Sequence, residues 1–419
     1  MLIYNISQLL ALTPEPQRGS ELGRLNIIEN GAVLVRDGMI EAVGKADDLL
    51  HRLPASEPRL DAGGKVVLPG FVDPHTHLVW AGDRAAEFEM RLQGKTYMEI
   101  MAAGGGIAST VKQTRAAAPA ELLAQTRSRA VSMFRHGTTT AEAKSGYGLE
   151  TQAEITQLTV LLQLDVEGPL EISPTFLGAH AIAPEYKDDP EGYTALVCDQ
   201  MLPAVKVWWQ QNAGRRPLPF VDVFCDCGAF SAGETVQIFA AAKVHGLAVR
   251  AHVGQLSETR LGPLLQYQPA SLDHMDHVND ADLPLLAETD TVATFVPGAN
   301  YFLGFAKYPN ARRFIESGAA VALATDYNPG SSPTLSMPMA LSLACTHMKM
   351  SPAEAIAAAT INGAWALRLA ERKGSVEPGK DADLAAFDVS DYREIPYWFG
   401  ANRCALTIMN GVPSGHLSL

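Results

Sequence analysis

A chain of 419 residues with 47% apolar side chains can bury one large core and support a second, smaller unit. Its formal charge of −13 at pH 7 excludes nucleic acid, whose phosphates would be repelled, but not a small anionic substrate read by local charges. Five scattered cysteines, Cys198, Cys225, Cys227, Cys345 and Cys404, make no disulfide framework, and no apolar run reaches the ~18 residues of a membrane span.

The first residues, MLIYNISQLLALTPEPQRG, show no basic leader followed by an apolar core, so a reducing cytoplasm is the expected compartment. Residues up to about 60 read as short strands. In VLVRDGMIEAVG two β-rich runs meet at Asp37-Gly38, a hairpin signal. From KVVLPGFVDPH onward the pattern changes to a buried strand, then helical spacing in AELLAQTRSRAVSMFRHG, then strand and loop in TTTAEAKSGYG. Short apolar strands follow in EISPTFLGAH, FVDVFCDCG, GLAVRAHVG, ASLDHMDHV, TVATFVPGA and AAVALATDYNPG, several separated by helical segments such as AGETVQIFAAAKVHG and DADLPLLAET. Strand–helix alternation with about eight strands predicts a closed parallel α/β barrel. The chain ends as it began: GSVEPGKDADLAAFDV is a turn and a strand, and Asn410-Gly411 marks another hairpin. Neither end can build a core alone. The expected organisation is a small β-sandwich-like domain from residues 1–63 plus 375–419, and a TIM-type (β/α)8 barrel over 64–374.

Polar residues that carry chemistry sit at strand ends. His75-Thr76-His77 follows the first buried strand, and residues two apart in an extended chain face one side, so both imidazoles reach one metal. His252, His274 and Asp326 lie at or near the ends of three later strands, the C-terminal address of barrel active sites. One buried histidine is usually a core residue; four strand ends with titratable groups favour a site. Cys225 and Cys227 are either a thiolate pair or two small side chains at a strand end. Gly104–Gly106 reads as a turn. By itself Arg84 reads equally as a surface partner of Glu87 and as an anion ligand.

The order D-P-H-T-H, His, His, Asp resembles the amidohydrolase superfamily over most of the chain. There the H-x-H pair, a later His and a last-strand Asp hold metal, and binuclear members add a carboxylated Lys on a middle strand. EISPTFLGAH has no Lys, which favours a mononuclear site, and Lys144 is read as a loop residue supporting the ligands. The stretches HTHLVWAGDRAAEF, LQGKTYMEI, AGGGIASTVKQTR, GTTTAEAKSGYGLE, TFLGAHAIAPEY and ATDYNPGSSPT further resemble the imidazolonepropionase family. That resemblance implies His75, His77, His252 and Asp326 as metal ligands and Arg84, Tyr97, Tyr147 and His180 as substrate-binding. Asp326, His274 and Gln255 would be catalytic. The loop Asn328–Pro333, through Asn328, Gly330 and Ser331, would meet an anion at a helix N-terminus. It also implies one metal ion, Zn2+ or Fe, a small anionic heterocyclic substrate, no membrane partner and a homodimer as the common assembly. The implied reaction, in histidine degradation, converts 4-imidazolone-5-propionate to N-formimino-L-glutamate. The run His252-Val253-Gly254-Gln255 departs from the family, which often carries an acid at the last two positions. A related deaminase or cyclic-amide hydrolase acting on another ring, or a silent paralogue, therefore remains an alternative.

Overall fold

The computed structural model describes residues 1–95, 99 and 104–415. Its described residues form two sheets, one built from the two ends of the chain and one from the middle.

The first sheet begins with β1 (Leu2–Leu10), β2 (Ile27–Arg36), β3 (Met39–Lys45), β4 (Arg59–Asp61) and β5 (Val66–Pro69). Asp37 and Gly38 join β2 to β3 with φ of 48° and 81°, the doubly left-handed turn that matches strand twist. Apolar side chains are buried on both faces: Ile3, Ile6, Val33 and Val67 in one cluster, Leu2, Leu34 and Leu49 in another.

The second sheet is the barrel. Its strands are β6 (Phe71–Asp73), β7 (Thr138–Lys144), β8 (Glu171–Ala179), β9 (Phe220–Cys225), β10 (Val249–Val253), β11 (Ser271–His274), β12 (Val292–Phe295) and β13 (Ala320–Leu323), all parallel to their neighbours. Most are buried throughout, as parallel strands covered by helices must be. The connecting helices start on local signals. Ser231 caps Ala232–Val244 in a reciprocal box with Glu234, and Pro119 opens Pro119–Phe134. Between β6 and β13 the barrel closes just beyond the strand ends. Asp326 N–H donates to His75 O and His77 N–H to Tyr327 O, both at 3.0 Å, with Thr76 bridging Tyr327. The closing seam is thus made of the residues that carry the candidate ligands.

The chain then returns to the first sheet through β14 (Leu384–Phe387), β15 (Cys404–Met409) and β16 (Val412–Gly415). Strand β14 pairs antiparallel with β5, completing the order β16-β15-β14-β5-β1-β2-β3, with β4 beside β1. Asn410 and Gly411 form the second hairpin turn, with φ of 48° and 73°. The two turns meet: Ala382 N–H donates to Gly38 O and Gly411 N–H to Ala382 O, each at 2.9 Å.

The sequence run KVVLPGFVDPH is not one strand. Val66–Pro69 belongs to the terminal sheet and Phe71–Asp73 to the barrel, so the chain crosses from one sheet to the other at Gly70. Only glycine fits there, since a Cβ would lie 2.3 Å from the Thr139 side chain. Among the described residues no helix is long and apolar enough to cross a membrane.

Candidate active site

The seam and the neighbouring strand ends bring four buried donors together. His75 Nε2 and His77 Nε2 lie 3.4 and 3.5 Å from Asp326 Oδ1, and His252 Nε2 lies 3.2 Å from His77 Nε2. His274 joins from the other side, within 4.8 Å of donors on His75 and His252. His75 Nε2 and both ring nitrogens of His274 have no hydrogen-bond partner although they are buried. Unpaired buried nitrogens facing one another and a carboxylate are costly without a cation between them. Three imidazoles and one carboxylate are also the donor types that zinc and iron take. The residues present therefore fit a metal ion.

Two of the four candidate ligands are oriented by buried carboxylates. His75 Nδ1 donates to Asp273 Oδ2 at 2.6 Å and His252 Nδ1 to Asp222 Oδ1 at 3.1 Å, which turns both Nε2 atoms toward the site. These carboxylates belong to a buried set in the barrel interior. Lys144 Nζ contacts Glu142 at 2.9 Å and Asp222 at 2.7 Å, and Arg250 Nη2 contacts Asp273 at 2.8 Å. Burial alone would raise the carboxyls of Asp222 and Asp273. Lys144 and His252 at the first, and Arg250 and His75 at the second, outweigh it and hold both well below the usual range. Lys144 ends strand β7 rather than lying in a loop. Its ammonium is held between carboxylates, and carboxylating it would turn attraction into repulsion, which agrees with a site for one ion.

Around the donors stand the groups that could meet a substrate. His180 Nδ1–H donates to Gly146 O at 2.9 Å, leaving Nε2 as an acceptor, and its ring stacks on His77 at 4.8 Å. Burial depresses His180 to about 3 and His274 to about 4, so both are neutral at pH 7. Tyr147 is buried with its ring 5.3 Å from His180; burial pushes its phenol up, so the hydroxyl stays a donor. His274 has φ of 75°, a strained backbone of the kind kept at functional sites. Gln255 is half-buried on the loop after β10. Tyr97 lies outside the described residues.

Two expectations change. The N–H groups of Gly330 and Ser331 are not open to an anion. Both donate to Asn328 Oδ1 at 2.8 Å, and the next helix starts only at Met337. Asn328 and Ser331 instead brace the acid: Asn328 Nδ2 donates to Asp326 O at 2.7 Å and Ser331 Oγ to Asp326 Oδ2 at 3.3 Å. Second, Gly254 is not simply a missing acid. Its φ is +68°, and a Cβ would meet His277 O at 3.0 Å, so the turn itself asks for glycine. Cys225, at the end of β9, is buried and Cys227 exposed, both free, and neither joins a metal-holding group among the described residues. Sequence reasoning missed Glu142, Asp222, Arg250 and Asp273. Their signal was charge inside otherwise apolar strands, as in VRAHV and SLDH.

Closed barrel, terminal sheet and His/Asp donors at the seam define the amidohydrolase class. The amidohydrolase family model matches residues 66–413, and an imidazolonepropionase-like composite domain of bacteria matches residues 31–55. Imidazolonepropionase of Herpetosiphon aurantiacus is 46% identical over 412 residues, spanning 98% of this chain and 96% of that protein. That of Geobacillus thermodenitrificans is 44% identical over 419 residues, spanning 98% and 97%. The chain belongs to the imidazolonepropionase family of amidohydrolases, and it is a hydrolase acting on C–N bonds. Among solved structures it superposes on an adenosine deaminase from Xanthomonas campestris with bound zinc (TM-score 0.71, 18% identity, 98% of this chain and 92% of that one). It also superposes on E. coli guanine deaminase (TM-score 0.71, 19% identity, 99% and 98%). At such identity these two share the fold.

Proposed function

We propose that the protein hydrolyses the ring amide of 4-imidazolone-5-propionate, using one divalent ion held by His75, His77, His252 and Asp326. The reading is supported by the convergence of those four buried donors beside His274, Tyr147 and His180, with Arg84 packed against Gly330 of the loop that braces Asp326. The ion, zinc or iron, supplies Lewis acidity that makes a water nucleophilic near neutral pH.

The chain's own groups do the rest. Asp326 accepts a proton from the attacking water and returns it to the ring nitrogen as the C–N bond breaks, so one water is consumed. Neutral His274 donates an N–H to the carbonyl oxygen as charge builds there. His180 offers its Nε2 lone pair to a ring N–H, and Tyr147 donates its hydroxyl. Arg84 takes the propionate carboxylate. The carbonyl carbon leaves as a new carboxylate, giving N-formimino-L-glutamate. Gln255 has no exchangeable charge and serves only to hydrogen-bond substrate.

The test pairs turnover of 4-imidazolone-5-propionate with metal analysis of the purified protein. The expected result is one bound ion per chain, lost in a folded His77→Ala variant together with activity. Full metal content in that variant overturns the ligand set. A metal-loaded wild type that turns over other cyclic amides but not this one overturns the substrate.

A further inference from the structure

Arg84 is not a free cation. Its Nε donates to Glu87 Oε2 at 2.9 Å and its Nη2 to Glu87 Oε1 at 2.5 Å, a two-pronged pair with side chains only 16% and 11% exposed. Glu87 Oε2 also accepts the Gly106 N–H at 2.7 Å, at the start of the helix Ile107–Ala116. On its other side Arg84 lies across Gly330, where a Cβ would come within 2.0 Å of Nη1. Two of the five guanidinium N–H groups are thus spent on Glu87, and the Nη1 edge is set against the loop that braces Asp326.

Glu87 does not cancel the local charge. Arg91 also acts on it, with its guanidinium over the Phe302 ring at 4.9 Å, so two cations share one carboxylate. We propose that Glu87 is a positioning residue for anion recognition: it fixes Arg84 across Gly330 and ties that pose to the backbone of Gly106. The guanidinium then meets a carboxylate already oriented, and little rotamer freedom is lost on binding. This rests on the reading of Arg84 as the anchor of the substrate's carboxylate.

The experiment uses the metal-loaded wild type, Glu87→Ala, Glu87→Gln, Arg84→Ala and the Arg84→Ala/Glu87→Ala double variant, each checked for metal content. Turnover of 4-imidazolone-5-propionate is measured beside calorimetric binding of 3-(imidazol-4-yl)propionate, with 4-methylimidazole as the probe lacking a carboxylate. Glu87→Ala is expected to raise KM, and Kd for the propionate probe, by about tenfold or more, the scale of a charge-assisted hydrogen bond. Its kcat should stay within about twofold and 4-methylimidazole binding should not change, the pattern of lost binding energy common to ground and transition states. Glu87→Gln should fall between Ala and wild type, and Glu87→Ala should add nothing in the Arg84→Ala background. An unchanged or lowered KM and Kd in Glu87→Ala overturns the proposal. So does a fall in kcat alone, or an effect that persists without Arg84. Should the probe bind in this Glu87-dependent way while imidazolonepropionate is not turned over, the substrate reading falls and the role of Glu87 stands. A wild type that does not bind the probe removes Arg84 as anion anchor and Glu87 with it.

Discussion

Replacing Asp273 by Asn asks how far the buried charges beneath the site control it. Asp273 Oδ2 lies 2.6 Å from His75 Nδ1, 2.8 Å from Arg250 Nη2 and 4.0 Å from Lys144 Nζ. The amide still accepts from His75 but no longer as an anion, which weakens His75 as a ligand. Loss of such a supporting carboxylate costs about 10–100-fold in metal affinity, or about 1.4–2.7 kcal/mol. Stripping one partner from a buried ion pair costs about 3–5 kcal/mol of stability. Arg250 keeps Pro74 O at 2.6 Å, with Glu142 and Asp222 each at 3.7 Å, which argues for the lower end of that range. Chelator competition at pH 7 reads the first effect and denaturant unfolding of the metal-free protein the second. The stability term also has a pH signature. The Asp273 carboxyl is held low when folded, so its contribution is complete above the unfolded value of about 3.9 and fades as acid passes below it. The gap between wild type and variant should therefore be flat from about pH 6 to 8 and narrow in acid. Metal affinity within about threefold of wild type in a folded Asp273→Asn protein would refute the reasoning.

Three further outcomes are expected. Gly330→Ala should drive Arg84 from its pose, since the new Cβ would lie 2.0 Å from Nη1, and raise KM by about tenfold with little change in Tm; steady-state kinetics and a melt check both halves. Gly254→Glu should lower stability by about 1–2 kcal/mol, the cost of a side chain in left-handed backbone, without raising kcat; a denaturation curve and an assay decide it. Burial pushes the Asp276 carboxyl up to about 7, against the bond from Asn300 and the charge of Lys307 that oppose it. Folded protein then prefers the protonated form; that stability is whole only below the unfolded value of about 3.9, drains away as pH rises, and is gone above about 7. Asp276→Asn should accordingly come closest to wild type near pH 4, pull ahead between about pH 4 and 7, and keep a constant lead near pH 8 in paired thermal scans.

Much of the fold was legible because the signals are local. Asp37-Gly38 and Asn410-Gly411 demand left-handed turns wherever they occur between strands, and the strand–helix alternation names a parallel sheet. The split of KVVLPGFVDPH at Gly70 was not legible, because both halves are equally apolar and only partners far along the chain, Thr139 and β14, tell them apart. His75, His77, His252, His274 and Asp326 could be found because strand ends are an address that chain order reveals. The charges beneath them sit mid-strand, where a lone Asp or Arg gives no hint of its partner. The Asn328 loop misled for a similar reason: Gly330 and Ser331 look like open anion donors until the Asn328 side chain is seen to occupy them.

The position of β5 between β1 and β14 bears on how the chain emerges from synthesis. Strands β1 to β5 can pair early, but β5 must wait for Leu384–Phe387, which is made only after the entire barrel. Until then Val66–Pro69 presents an unpaired, apolar backbone edge of the kind that invites pairing with another chain. Contacts of such long sequence separation are also slow to form. A nascent or prematurely terminated chain ending before β14 would thus carry its stickiest edge next to the strand that leads into His75 and His77. Quality of expression, more than chemistry, would then depend on the last strands.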